Sequence, residues 1–237
     1  MGAVRVAGVG LTEFGTHPER TGRDLFAEAA LGALADSNVA REAVEAVHLG
    51  NFMGELAEHQ GHAGPLMAEA AGLSVPATRF ESACASGGVA AREAVRTIRT
   101  GEAEVVLVGG VERMNNLGTS GATEALAIAA DDLYEVRAGV TFPGAYALMA
   151  RSYFDAHGGE REDLAHIARK NHANAVPNQY AQFQREVTIE EALDAPMIAE
   201  PLGLFDACPI TDGAAAIVLV SEAYAQSKGI DAPVAIT

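Results

Sequence analysis

RFESACASGGVAAREAVRTIR, residues Arg79–Arg99, decides how the chain is read. Thr78, Arg79 and Phe80 read as the end of a short strand. Val89, Ala90, Ala94, Val95 and Ile98 then recur at the three- and four-residue spacing of one buried helix face. The turn between strand and helix falls at Ser82–Gly87, which puts Cys84 at the helix start. A thiol there feels the positive end of the helix dipole and unpaired backbone N–H groups, both of which favour thiolate over thiol. Ala83, Ala85, Ser86, Gly87 and Gly88 are small enough to let a substrate carbonyl approach the sulfur. Cys84 is therefore a candidate nucleophile, and the competing reading is an ordinary buried cysteine acting as a small hydrophobe.

Outward from this segment the chain alternates between two periods. Val4–Val9, Glu45–Leu49, Ala77–Phe80 and Ala103–Val108 read as strands; Asp24–Ala35, Gly61–Ala71 and Cys84–Thr100, closed by Gly101, read as helices. Strands alternating with helices imply βαβ units, an α/β class and a mainly parallel sheet. Gly8-Val9-Gly10, placed at a turn after the first strand, lacks the third glycine of a dinucleotide-binding fingerprint. From about Asn115 to Leu204 the character changes to polar helical stretches, Arg151–His157, Glu162–Ala175 and Thr188–Leu193, which read as an insertion. The earlier pattern resumes with a strand at Ala214–Val220, a helix at Ser221–Ser227 and a strand opening at Val234–Ile236.

Composition excludes several classes. With 237 residues, 49% of them hydrophobic, the chain can bury one large core. No apolar run is long enough to cross a bilayer, and MGAVRVAGVG lacks the basic region and cleavage site of a signal peptide, so a soluble cytoplasmic protein without a membrane partner is expected. The formal charge of −16 argues against nucleic acid, because neutralising phosphates takes clustered Lys and Arg. Of 16 basic residues only Lys170 and Lys228 are lysine, against 32 acids. Such a surface suits a salt-rich setting, where screening blunts self-repulsion, and a base-composition bias of the source explains it equally well. Cys84 and Cys208 sit in unlike contexts, so reduced thiols are expected rather than a disulfide.

Six stretches occur in one fixed order: Thr12-Glu13-Phe14-Gly15, the Cys84 segment, Val108-Gly109-Gly110-Val111-Glu112-Arg113-Met114, Thr141-Phe142-Pro143-Gly144, Lys170-Asn171-His172, and Asp206-Ala207-Cys208-Pro209-Ile210-Thr211-Asp212-Gly213-Ala214-Ala215-Ala216. In this order they resemble the thiolase superfamily, in its archaeal and sterol-carrier-protein-x-like branch, over nearly the whole chain. The resemblance implies a layered α/β fold, the first βαβαβαββ half of a two-half protein with a loop domain inserted. Residues 1–114 and 205–230 would form the N-terminal half, 115–204 the loop domain, and 231–237 the start of the second half. In the family that second half carries a Gly-His-Pro-like histidine that takes the nucleophile's proton, an Asn- or His-led oxyanion motif and a final Cys or His base. None of these motifs occurs in the 237 residues; Gly61-His62-Ala63 and Thr16-His17-Pro18 match neither in sequence nor in order.

The function so implied is acyl-coenzyme A C-acyl transfer, a Claisen condensation or its thiolytic reverse through an acyl-Cys84 intermediate. Coenzyme A thioesters would be substrates, with no covalently bound cofactor. Partners would be acyl-CoA or coenzyme A, and either further copies of the chain or a complementing second-half chain. The alternative is a non-catalytic acyl-CoA-binding or scaffold subunit completed by a partner chain; a decarboxylating ketoacyl synthase lacks support from the loop-domain motifs. The resemblance also implies coenzyme A contacts at Met114, Phe142 and Met149, against which stands simple core packing. Lys170, Arg151 and Arg169 are second-rank phosphate contacts behind a solvated-face reading, and His172 reads first as a surface or helix-packing residue and second as a phosphate contact. His59 and His62 share one face with Glu55 and Glu58 nearby, but a third and fourth ligand are wanting, so no metal site is expected. Cys208 is read as a structural thiol, and Asp212 and Gly213 as shaping the turn into the strand that follows.

Overall fold

The computed structural model describes residues 2–236. Of these, residues 2–116 and 211–236 fold into one compact unit and residues 117–210 into another. The first unit contains β1 (Val4–Leu11), α1 (Gly22–Ser37), β2 (Ala46–Gly50), α2 (Gly54–Ala57), α3 (Ala63–Ala70), β3 (Ala77–Phe80), α4 (Ser86–Arg99) and β4 (Val105–Glu112). The second holds α5 (Gly118–Ala127), α6 (Phe142–His157), α7 (Arg161–Ala175), α8 (Ile189–Asp194), β5 (Met197–Ala199) and β6 (Leu202–Gly203). The chain then returns to the first unit with β7 (Gly213–Ser221), α9 (Glu222–Lys228) and β8 (Val234–Ile236).

The first unit is built on one six-stranded sheet of order β3-β2-β4-β7-β1-β8. The sheet is mixed, not mainly parallel: β2 runs parallel to β3 and β4, whereas β7 runs antiparallel to both β4 and β1, and β8 antiparallel to β1. The reason is connectivity. Glu112 at the end of β4 pairs with Gly213 at the start of β7. These strands are thus the arms of a long hairpin whose connection is the whole of residues 113–212, and hairpin arms are antiparallel whatever their composition.

Both sheet faces are buried, as the unbroken apolar run of β4 requires. Val105, Leu107 and Val111 join Val218 and Val220 under α1 and α3, while Val106, Val108 and Leu219 face Ala90, Ala94, Val95 and Ile98 of α4. The glycines of Gly8-Val9-Gly10 do not form a turn; they lie inside β1 and let α1 approach. A Cβ at Gly10 would fall 2.1 Å from Ala29 O, and one at Gly8 would fall 2.4 Å from Ser37 N. Helix α1 opens on a capping box between Thr21 and Asp24 and ends at left-handed Asn38 (φ 53°). The second unit has its own small core of Ala165, Ala168, Val187 and Ala192. Its α6 is longer than the stretch Arg151–His157 suggests. Thr141 starts it by accepting from Gly144 N–H, with Pro143 in the first turn. Among the described residues no helix is long and apolar enough to cross a membrane.

Candidate active site

The strand ends Gly50, Phe80 and Gly110 lie in register at the carboxyl edge of the parallel strands, where α/β sheets place their ligands. Gly50 lets α4 rest on this edge, for a Cβ there would lie 2.5 Å from Gly87 N and 2.6 Å from Gly87 Cα. The helix begins at Ser86, two residues later than the sequence pattern suggests, because Ala83–Ala85 form a 3-10 turn first. Cys84 sits in that turn and is exposed, so the buried-cysteine reading fails.

One residue that sequence reasoning passed over pins this turn. Ser86 is 4% exposed; its Oγ accepts from Ser82 N–H (2.9 Å) and donates to Ala83 O (2.7 Å). Ala83 N–H donates to Glu81 Oε1 (2.6 Å) and Ala85 N–H to Ser82 O (2.9 Å). Cys84 N–H has no acceptor among the described residues. Ala83 is held in the left-handed region (φ 45°), a conformation costing a side-chain-bearing residue on the order of 1 kcal/mol and maintained where surrounding bonds enforce it.

A second layer of polar groups ties the neighbouring loops to the same edge. Glu112 accepts from Phe52 N–H, from Met53 N–H (3.1 Å) and from the Asn51 side-chain amide (3.2 Å). Burial pushes its carboxyl above the usual range, opposed by the Phe52 and Met53 N–H groups and by Arg79. Arg79 donates to Asn51 O (3.2 Å) and pairs with Glu55 (2.5 Å), holding the Glu55 carboxyl below its ordinary value. The quoted motifs Thr12–Gly15 and Asp212–Ala214 meet here although 200 residues separate them: Ala214 N–H donates to Thr12 Oγ1 (3.0 Å), and Gly15 and Asp212 exchange backbone bonds of 3.0 and 2.7 Å. No local signal in the sequence announces such pairings.

The other candidates fall as follows. Met114 is half-buried after β4, its N–H bound to Asp212 Oδ1 at 2.8 Å. Phe142 and Met149 are not core residues; they line one cavity of about 170 Å³ in the second unit with Glu135, Thr141 and Tyr146, and Met149 is exposed. Arg151 is paired with Glu200 (2.7 Å) and exposed. His172 packs edge-on against Phe205 and contacts Arg185 O (3.1 Å), a helix-packing role. His59 and His62 lie on the loop between α2 and α3, both with positive φ, rather than on one helical face. Among the described residues no group of three or more His, Cys, Asp or Glu could hold a metal ion. Cys208 is free and exposed, so it packs no core.

Comparison with known proteins agrees with this architecture. Residues 4–223 match the family model described as the thiolase N-terminal domain. An acetyl-CoA acetyltransferase of Methanothermobacter thermautotrophicus is 42% identical over 217 residues, 91% of this chain and 56% of the relative. Human sterol carrier protein 2 is 31% identical over 238 residues, 96% of this chain and 43% of the relative. The solved acetyl-CoA acetyltransferase of Syntrophomonas wolfei, 18% identical, superposes with a TM-score of 0.75 over 98% of this chain and 68% of its own, which shows the shared fold. The chain spans about half the length of the curated relatives it matches. With its mixed sheet, its helix-start cysteine turn and a family match across nearly all its residues, the chain belongs to the thiolase family, over that family's N-terminal domain.

Proposed function

We propose that this chain supplies the nucleophilic half of an acyl-coenzyme A C-acyltransferase, with Cys84 as the acyl acceptor. The observation that carries the reading is the exposed Cys84 on a pinned turn ahead of α4, at the carboxyl edge of the parallel strands. The Cys84 thiolate attacks the thioester carbonyl, the carbon–sulfur bond to coenzyme A breaks, and coenzyme A leaves as a thiolate that takes up a proton. The acyl-cysteine then passes its acyl group to the carbanion of a second acyl-CoA, or to coenzyme A in the thiolytic direction. Cys84 N–H, without another acceptor among the described residues, would bind the oxyanion, a contribution of about 3 kcal/mol for one such donor in comparable sites.

In this reading Met114 lines the substrate pocket, and Phe142 and Met149 meet the pantetheine arm of coenzyme A at the cavity they share. The general bases and the second oxyanion donor come from sequence outside the 237 residues, on this polypeptide or on another. Acetyl-CoA is the first donor to test, since the Methanothermobacter relative carries that activity in its name. Two unpaired cysteines suit a reducing, cytoplasmic setting.

The test is thiolytic cleavage of acetoacetyl-CoA by this chain mixed with a thiolase second-half polypeptide. The mixture should turn over. Cys84→Ala should abolish turnover, and Cys84→Ser should lower it by at least about 100-fold, because a hydroxyl is a far weaker nucleophile. Activity that survives Cys84→Ala would defeat the reading in favour of an acyl-CoA-binding subunit.

A further inference from the structure

Asp212 is 1% exposed, yet its carboxylate serves no ion pair among the described residues. Instead Oδ1 accepts from Met114 N–H (2.8 Å) and Asn115 N–H (2.9 Å), and Oδ2 accepts from His17 N–H (3.2 Å). Its backbone is locked to Gly15 in both directions, and the Asn115 side-chain amide closes the ring by donating to Gly15 O (3.1 Å). One buried side chain thus gathers three stretches at the carboxyl end of the sheet: the segment after β1, the segment after β4 and the residue before β7. The last two are also the points where the chain departs for residues 117–210 and returns from them.

We propose that Asp212 is a positioning residue for coenzyme A thioester binding. Its carboxylate fixes the Met114–Asn115 segment in the conformation that substrate meets, without itself touching substrate. The inference rests on the acyltransferase reading above, in which Met114 lines the pocket. The physical basis is the acceptor count. A carboxylate can receive three N–H bonds on two oxygens, whereas an amide offers one oxygen and turns an N–H₂ group toward an N–H. Asp212→Asn therefore keeps the volume and releases either the Met114–Asn115 side or the His17 side.

The experiment is calorimetric titration of the 237-residue chain with coenzyme A itself, beside amide exchange at residues 17, 114 and 115 and timed alkylation of Cys84. For Asp212→Asn we expect coenzyme A affinity to fall about tenfold, the weight of one hydrogen bond to a charged group. Exchange at Met114, Asn115 or His17 should quicken, while Cys84 alkylation stays within about twofold. Unchanged affinity in a variant whose Met114 and Asn115 exchange has quickened would overturn the proposal and leave Asp212 a purely structural residue; where only His17 exchange quickens, Asp212→Ala, which frees all three N–H groups, is titrated in its place and decides by the same criterion. If the unaltered chain bound no coenzyme A, the acyltransferase reading would fall with it; if it bound and the variant bound equally, this proposal alone would fall. Should Asp212→Asn fail to fold, exchange on the unaltered chain decides. Saturating coenzyme A must slow exchange at Met114 and Asn115, and no change there would contradict the proposal.

Discussion

At the scale of single residues, the candidate nucleophile is defined less by the cysteine than by the serine two places after it. Ser86 answers both Ser82 N–H and Ala83 O from a buried position, and it does so while Ala83 is kept in a left-handed conformation. Removing the hydroxyl leaves two polar backbone groups without their partner, and relaxation of Ala83 is the easiest escape. Ser86→Ala should therefore lower stability to urea by about 1–3 kcal/mol and alter the rate at which iodoacetamide labels Cys84, with Cys208 unaffected. If stability and Cys84 labelling were both unchanged, the turn would owe its shape to something else. The cysteine, the small residues and the helix that follows are legible in residues 79–99, because the helical period and the glycine pair are local signals. The roles of Ser86, Asn51, Glu112 and Asp212 are not, since their partners lie from three to 195 residues away and the pairing depends on which strands become neighbours.

At the scale of elements, β4 and α4 read correctly as buried strand and amphipathic helix, although β4 continues to Glu112 and α4 starts at Ser86. The direction of β7 was hidden, because Ala214–Val220 carries the same apolar run whether it joins its neighbours parallel or antiparallel; only the link across residues 113–212 settles it. Between β2 and α4 the sheet also buries His48, 9% exposed, its ring tilted by 53° to Phe80 with centroids 5.0 Å apart and its Nδ1 without a partner among the described residues. Burial lowers its pKa from 6.5, opposed by the Ala90 backbone and by the Glu93 and Glu102 carboxylates. The unfolded chain therefore binds this proton more readily than the folded one. His48's contribution to stability is complete above pH 6.5 and is lost as pH falls below 6.5 through the depressed folded value. Urea midpoints measured between pH 7.5 and 5 should fall, and His48→Phe should flatten that fall; an equally steep fall in the variant would remove His48 as its cause.

For the whole molecule, the composition and the fold act together. The charge of −16 keeps a surface of many exposed apolar side chains hydrated, among them Tyr134, Tyr146, Leu148 and Met149 of the second unit. The first unit offers a sheet whose carboxyl edge is drawn together by two carboxylates, half-buried Glu112 on one side and buried Asp212 on the other. On that edge stands one exposed thiol. We expect a division of labour in which this chain donates sulfur, helix N-terminus and one backbone donor, and other sequence donates the proton-transfer groups. Its most direct test is acid quenching of the mixture of this chain with a thiolase second half, moments after acetyl-CoA is added, followed by peptide mapping. The acetyl group should be found as a hydroxylamine-labile thioester on the peptide containing Cys84; acetyl on Cys208, or a mixture that turns over with Cys84 never acetylated, would rule out Cys84 as the acyl acceptor.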